Sequence, residues 1–259
     1  MVATTENTTQ IALTTMSASQ LSDIIQQVPQ VLGHMSRRSR KALLSTSRQF
    51  RSQMHQTATS VKIHSVEDIS LLVSRQWSQL KIVNMTAPLN FEARSLTDLA
   101  MADWPLLEAI DLTNNCLQLA SWKVLAEAHW PRLRRLSMRC NDADAAKLWC
   151  LVTGSWPWLE ELDLSNNFLD EQCMQTLSKR NWPQLKKLNL QGCRAPHADG
   201  LAHLTLGNWP CLESLNLSQN LYLPTQGLMA LAEAHRPLFK NLDLGSTAAD
   251  LSIFGRDLA

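Results

Sequence analysis

Apolar residues recur along this chain in a pattern that repeats every 26 to 27 residues. Each repeat carries an apolar triplet with spacings of three and two, as in Leu159, Leu162 and Leu164. Side chains alternate along an extended chain, so the last two members of the triplet point to one side, whereas Asp163 and Ser165 point into water. We predict short parallel strands at 83–85, 110–112, 136–138, 162–164, 188–190, 215–217 and 242–244.

The second half of each repeat has helical spacing, as in Val124, Leu125 and Ala128. A tryptophan marks the return to the strand, and a proline, which cannot extend a helix, follows it in five of six cases. We predict that these tryptophans form a structural ladder between neighbouring coils: Trp77, Trp104, Trp130, Trp156, Trp182 and Trp209. A period of about 20 to 50 residues is typical of solenoids, so the expected fold class is α/β, a right-handed βα solenoid.

An asparagine follows the strand in four repeats, at positions 115, 141, 167 and 220, and Cys193 takes this place in a fifth. The amide can donate to and accept from backbone groups where the chain turns off the strand. A thiol fills a similar volume but is a weaker donor. We therefore predict that these residues satisfy the backbone at each turn.

The combined pattern resembles the leucine-rich repeat family, with its consensus LxxLxLxxN/CxL, over about residues 77 to 247. Gly200 and Gly227, each followed by an apolar helix, are similar to the helical half of ribonuclease-inhibitor-like repeats. The period is close to that of the Cys-containing repeats of F-box proteins, so both subclasses stay open. The resemblance implies a horseshoe with a curved parallel sheet on its concave side and helices outside.

The residues before the repeats divide into two segments. The Thr- and Ser-rich stretch 1–18 has few apolar anchors and is expected to be a disordered tail. Residues 19–60 show helical spacing and are expected to form a helical N-terminal cap, which solenoids need to shield the first coil. The repeat domain then covers 61–259 with about seven repeats, joined to the cap by a degenerate coil that begins at Val61 and Ile63.

Within the cap, the stretch Pro29–Arg51 resembles the F-box. The resemblance depends on the opening Pro29-Gln30-Val31-Leu32 and the closing Thr46-Ser47-Arg48-Gln49-Phe50-Arg51, although a Leu-Pro-x-Glu-Leu opening is missing. An F-box placed before leucine-rich repeats is a common domain order. The resemblance implies that these helices hold the adaptor of a cullin-type ubiquitin ligase while the repeats hold its substrate.

The composition excludes several classes of function. The chain has 259 residues and a formal net charge of +1, so no general basic field predicts a nucleic-acid partner. No apolar run reaches about 18 residues, so no membrane partner is expected. Six cysteines without a CxxC pair favour a reduced, cytoplasmic protein, with the nucleus as the alternative location. No catalytic or metal-binding motif occurs, and we expect a monomeric non-enzyme without cofactor or metal.

We predict that the protein is a protein–protein interaction scaffold whose partner binds the concave face. This face is polar and mixed in sign, and its candidate binding residues are Asp111, Arg135, Ser137, Arg139, Glu161, Asp163, Lys187, Asn189, Asn216 and Asp243. The F-box resemblance implies a substrate receptor of a ubiquitin ligase. The alternatives are an enzyme regulator, like the ribonuclease-inhibitor or GTPase-activating repeat proteins, and a fragment of a larger multidomain protein.

Overall fold

The computed structural model describes residues 58–63, 69, 72–73, 77–86, 93–193, 198–220, 223–234 and 238–247. The predicted tail at 1–18 lies outside the described residues. The same holds for the predicted cap up to residue 57, including its F-box-like stretch.

The described residues form an α/β fold with one eight-stranded parallel sheet, in which the strands follow one another in chain order. The strands are β1 Ser60–Lys62, β2 Ile82–Asn84, β3 Ala109–Asp111, β4 Arg135–Ser137, β5 Glu161–Asp163, β6 Lys187–Asn189, β7 Ser214–Asn216 and β8 Asn241–Asp243. One helix precedes each strand from β3 onwards: α1 Ala93–Ala100, α2 Leu119–Glu127, α3 Ala145–Thr153, α4 Glu171–Ser178, α5 Ala198–Thr205 and α6 Thr225–Glu233. The predicted α/β class and repeated βα unit are confirmed.

The strand boundaries differ from the prediction in a regular way. Each of the seven predicted strands begins and ends one residue earlier, and β1, from the degenerate first coil, adds an eighth. Leu164 illustrates the reason: its N–H still donates to Asn189 O in the next coil at 2.9 Å. Its carbonyl, however, accepts from the amide of Asn167 at 2.7 Å. The last apolar residue of each triplet therefore already belongs to the turn.

The core is built from stacked columns of equivalent residues. The middle residues of neighbouring strands are in register, as in Leu136, Leu162 and Leu188, and all three are at most 3% exposed. Every tryptophan of the predicted ladder is buried, and the rings of Trp182 and Trp209 stack with their centroids 6.1 Å apart. The tryptophan series is therefore part of the core, as predicted.

The asparagines form a hydrogen-bonded ladder through the buried turns, which confirms their predicted role. The Asn141 amide nitrogen donates to Leu112 O at 2.9 Å. Its oxygen accepts from the N–H groups of Asn115 and Leu117 at 3.1 and 3.3 Å. In the coil that follows β6, the thiol of Cys193 donates to Leu164 O at 3.3 Å but offers no amide oxygen to the preceding coil.

The first prediction concerns the core column. Leu164→Ala should lower the free energy of unfolding by about 2–5 kcal/mol, because it leaves a cavity under the central coil. Guanidinium unfolding followed by tryptophan fluorescence measures this change. Leu206, which is 72% exposed, provides the matched control, and Leu206→Ala should stay within about 0.5 kcal/mol of the wild type. Equal effects of the two substitutions would contradict the assignment of the core.

The second prediction concerns the asparagine ladder. Asn141→Ala leaves two buried N–H groups without their acceptor, at a cost of about 1–3 kcal/mol for each group. Cys193→Asn should instead stabilise the protein by about 0.5–1.5 kcal/mol, since it adds the missing amide oxygen. The exposed Asn181 provides the control, as Asn181→Ala should be nearly neutral. A Cys193→Asn variant less stable than the wild type would show that the coil of β6 does not accept the ladder geometry.

Candidate functional site: the strand face

The sheet register brings the predicted binding residues together on one surface. We call this surface the strand face: the side chains of the first and third residues of each strand, together with Arg139. The middle residues of β2 to β7 point the other way, into the core. Arg135, Glu161 and Lys187 lie side by side as first residues of β4, β5 and β6. The third residues form a second row, which from β3 to β8 comprises Asp111, Ser137, Asp163, Asn189, Asn216 and Asp243.

The first row contains one ion pair and one guanidinium without such a partner. Lys187 Nζ lies 2.8 Å from Glu161 Oε1, and this hydrogen bond and charge raise the pKa of Lys187. Both side chains are well exposed, so the pair contributes about 0–1 kcal/mol to stability. Arg135 is exposed and forms no ion pair within the described part of the chain. Its guanidinium can therefore bind an external carboxylate without breaking an existing pair.

The acidic and amide residues of the second row have a local structural role that the sequence analysis missed. Asp163 Oδ1 accepts from the N–H of Ser165 at 2.8 Å, and Asn189 Oδ1 accepts from Gln191 N at 3.1 Å. The same bond recurs at Asp111, Asn216 and Asp243. The recurrence of Asp or Asn two residues before a turn was the available signal, because these side chains stabilise such turns. These residues therefore serve the fold as well as the surface.

Ser165 does not face water as predicted. It is fully buried, and Ser218, the equivalent residue two coils later, is buried as well. Both lie beyond the end of their strands, where the chain has already turned, so strict alternation no longer applies. The Ser165 carbonyl accepts from Cys140 N at 3.1 Å in the preceding coil. The sequence pattern predicted exposed side chains beyond the third residue of each strand. The burial of Ser165 and Ser218 shows that the exposed surface ends earlier in these two coils.

Arg139 is oriented by a residue of the next coil. When the Asn166 amide is oriented with its oxygen toward Arg139, this oxygen accepts from both Nε and Nη2 of Arg139 at 3.0 Å. Asn166 is in the left-handed region with a φ of 54°, as is the equivalent Gly192 at 63°. A Cβ on Gly192 would lie 2.4 Å from the Asn166 amide, so glycine leaves the space that this amide needs. Arg139 is thus held in a defined orientation before any partner binds, which lowers the entropic cost of binding.

A third row, outside the strand face, consists of the charged residues that immediately precede the strands. The sequence analysis missed it. Its signs alternate from coil to coil: Lys81, Glu108, Arg134, Glu160, Lys186, Glu213 and Lys240. Glu160 bonds to Lys186 at 3.0 Å and also to Arg134, and these bonds lower the pKa of Glu160. Further ion pairs join Lys81 to Glu108 at 3.2 Å and Lys240 to Glu213 at 2.9 Å. The alternation at the repeat interval was the signal for this row.

Large aromatic residues are exposed away from the strand face. Trp149, Trp158 and Phe168 are each just over half exposed and lie on a helix or in the turns. The signal in the sequence was that Trp149 and Trp158 fall outside the repeat interval of the ladder. The third such tryptophan, Trp122, is nevertheless buried in α2. Periodicity alone therefore does not separate exposed indoles from core indoles.

The buried cysteines are unsuited to nucleophilic chemistry. Burial raises the pKa values of Cys150, Cys173 and Cys193, in the last case to about 12. All six cysteines are free thiols, and Cys116 is exposed. No group of three or more His, Cys, Asp or Glu side chains is placed to hold a metal ion within the described residues. None of the helices in the described part of the chain has the length and apolar character needed to span a bilayer.

Comparison of the chain with protein-family models and with curated protein sequences finds no match.

The third prediction concerns thiol reactivity. Iodoacetamide at pH 8 should alkylate Cys116 readily but spare Cys173 and Cys193, which are buried and protonated. Peptide mass spectrometry gives the rate at each site, and unfolding in guanidinium should make all six equally reactive. The folded chain holds these buried protons more tightly than the unfolded chain. The contribution of these thiols to the free energy of unfolding should therefore be fully present below the unfolded thiol pKa of about 8.5, and it should decrease as the pH rises above that value. Rapid alkylation of Cys193 in the folded protein would contradict this assignment.

Proposed function

We propose that the protein is a leucine-rich repeat interaction module that binds a protein partner on the strand face. In this proposal the parallel sheet forms the concave side of a right-handed horseshoe, and the predicted helical cap ends before β1 and shields the first coil. The repeated apolar triplets, the asparagine ladder and the alternation of strands with helices support this class of fold. Function on repeat scaffolds depends on exposed positions. In this proposal the exposed side chains of the strand face bind the partner.

One observation carries the choice of surface: Arg135 and Arg139 lie on the strand face, and neither forms an ion pair with any residue in the described part of the chain. Arg135 lies between Ala109 and Glu161, and Glu161 is already paired with Lys187. Arg139 is held by the neutral amide of Asn166. Both guanidiniums can therefore form bidentate bonds to carboxylates of a partner. Such charges determine partner choice and association rate more than affinity.

The F-box-like stretch Pro29–Arg51 supports a more specific form of the proposal. In this form the protein is a substrate receptor, with a ligase adaptor bound at the N-terminal helices and the substrate on the strand face. Affinity purification of the full chain, scored for adaptor and cullin subunits, tests it. If the chain recovers a strand-face partner but neither subunit, the role in a ubiquitin ligase is rejected and the interaction module remains as the proposal.

The fourth prediction concerns the two arginines. The variant Arg135→Glu/Arg139→Glu should lose at least one protein that the wild-type chain recovers from cell extract, because charge reversal opposes an acidic partner. Its melting temperature should shift by less than about 4 °C, which corresponds to about 1 kcal/mol for a chain of this size.

The matched control places the same charge change elsewhere. Arg132 and Lys123 are exposed and lie outside the strand face, so Arg132→Glu/Lys123→Glu should keep every partner. Quantitative mass spectrometry of the three purifications gives the comparison. If the Arg135→Glu/Arg139→Glu variant retains all partners, binding does not depend on the strand face.

A further inference from the structure

A groove runs between helices α3 and α4, away from the strand face. It is an open groove with a volume of about 350 Å³. One wall is formed by the small side chains of Ala145 and Ala146 together with the indole of Trp149, and the other by Gln172, Gln175 and Lys179. The walls belong to neighbouring coils. The distance between them therefore depends on the packing of α3 against α4 and on the pairing of the strands of the same coils.

Trp149 gives the groove an apolar wall that the core does not require. The equivalent residues of the neighbouring coils are Lys123 and Gln175, and both are exposed, so this position faces outward. Trp149 is nevertheless a tryptophan with 54% of its surface exposed. Tryptophan is one of the residue types enriched among those that dominate binding energy at protein interfaces. The indole is therefore placed for contact with another molecule.

The charge at the groove defines the complementary ligand. Lys179 Nζ lies 5.8 Å from the centroid of the Trp149 ring, which places the cation against the aromatic face. The acidic N-cap residues Asp144 and Asp170 lie at the opposite ends of these helices, and each accepts from an N–H of its own helix. The end of the groove at Lys179 is thus cationic, and the amide of Gln175 beside it can bond to a peptide backbone.

We infer that this groove is a second docking surface, which binds a segment of a partner protein with an apolar side chain next to a carboxylate. The apolar side chain packs on Trp149 and Ala146, and the carboxylate accepts from the Lys179 ammonium. Charge complementarity at Lys179 selects an acidic segment over a basic one. This site is independent of the strand face, because neither Arg135 nor Arg139 lines it.

The test uses the full chain and a panel of fluorescein-labelled ten-residue peptides. Each peptide carries one Trp, Phe or Leu with Asp or Glu within three positions, and a second set replaces the acids with Asn or Gln. Fluorescence polarisation should show saturable binding of acidic peptides that weakens with added salt. Trp149→Ala and Lys179→Glu should each weaken this binding at least about tenfold. Trp158→Ala, which removes an equally exposed indole outside the groove, should change it less than about twofold.

Three further outcomes decide the inference. The Lys179→Glu variant should bind peptides that carry Lys or Arg in place of the acids. This result would support the inference, since reversing both charges restores an attractive pair between residue 179 and the peptide. Failure of the whole panel to bind, or equal binding of acidic and amide peptides, would overturn it. A concentration-dependent dimer that Trp149→Ala abolishes in sedimentation would assign the groove to a second copy and also overturn it. Peptide binding should survive Arg135→Glu/Arg139→Glu, so this test and that of the strand face can fail separately.

Discussion

From β3 to β7 the chain turns off each strand inside the core, where backbone groups must find partners within the protein. The asparagine ladder meets this constraint, and it does so between coils. Asn141 bonds to Leu112, Asn115 and Leu117, all in the preceding coil. Each ladder residue therefore fixes both its own turn and the position of its neighbour. Repeats of this kind contact only adjacent repeats, so this local bond set joins the coils from β2 to β7 pair by pair.

Stacking in register also determines the electrostatics. Equivalent side chains of adjacent strands lie about 4.8 Å apart, so a repeated charge of one sign would repel itself along the sheet. In the row before the strands the signs alternate, and Glu160 bonds to both Arg134 and Lys186. On the strand face this pairing is incomplete. Glu161 lies between Arg135 and Lys187 but forms its ion pair with Lys187. A row of paired charges therefore lies beside a face on which Arg135 forms no ion pair with the residues that the structure describes.

The aromatic residues divide between two roles in the same way. The tryptophans of the repeat interval are buried and fill the space where each helix returns to its strand. Trp149 lies on the outward side of α3 and is left in water beside Lys179. The strand face and the α3–α4 groove thus differ in chemistry: one offers oriented polar groups, and the other offers apolar area with one cation. In our proposals the two surfaces have separate tasks, since charges select partners and buried aromatic area contributes affinity.

The sequence by itself determined the features that repeat: the βα unit, the burial of Leu162 and Leu164, the tryptophan ladder and the role of Asn141. Periodicity reveals these because each coil imposes the same requirement on the same position. The ends of the strands, the burial of Ser165 and the orientation of Arg139 were decided only by the tertiary structure. Arg139, Asn166 and Gly192 meet across three coils, each 26 or 27 residues from the next. No local pattern marks such a contact, because each residue is acceptable in its own coil and gains its role only through its neighbours.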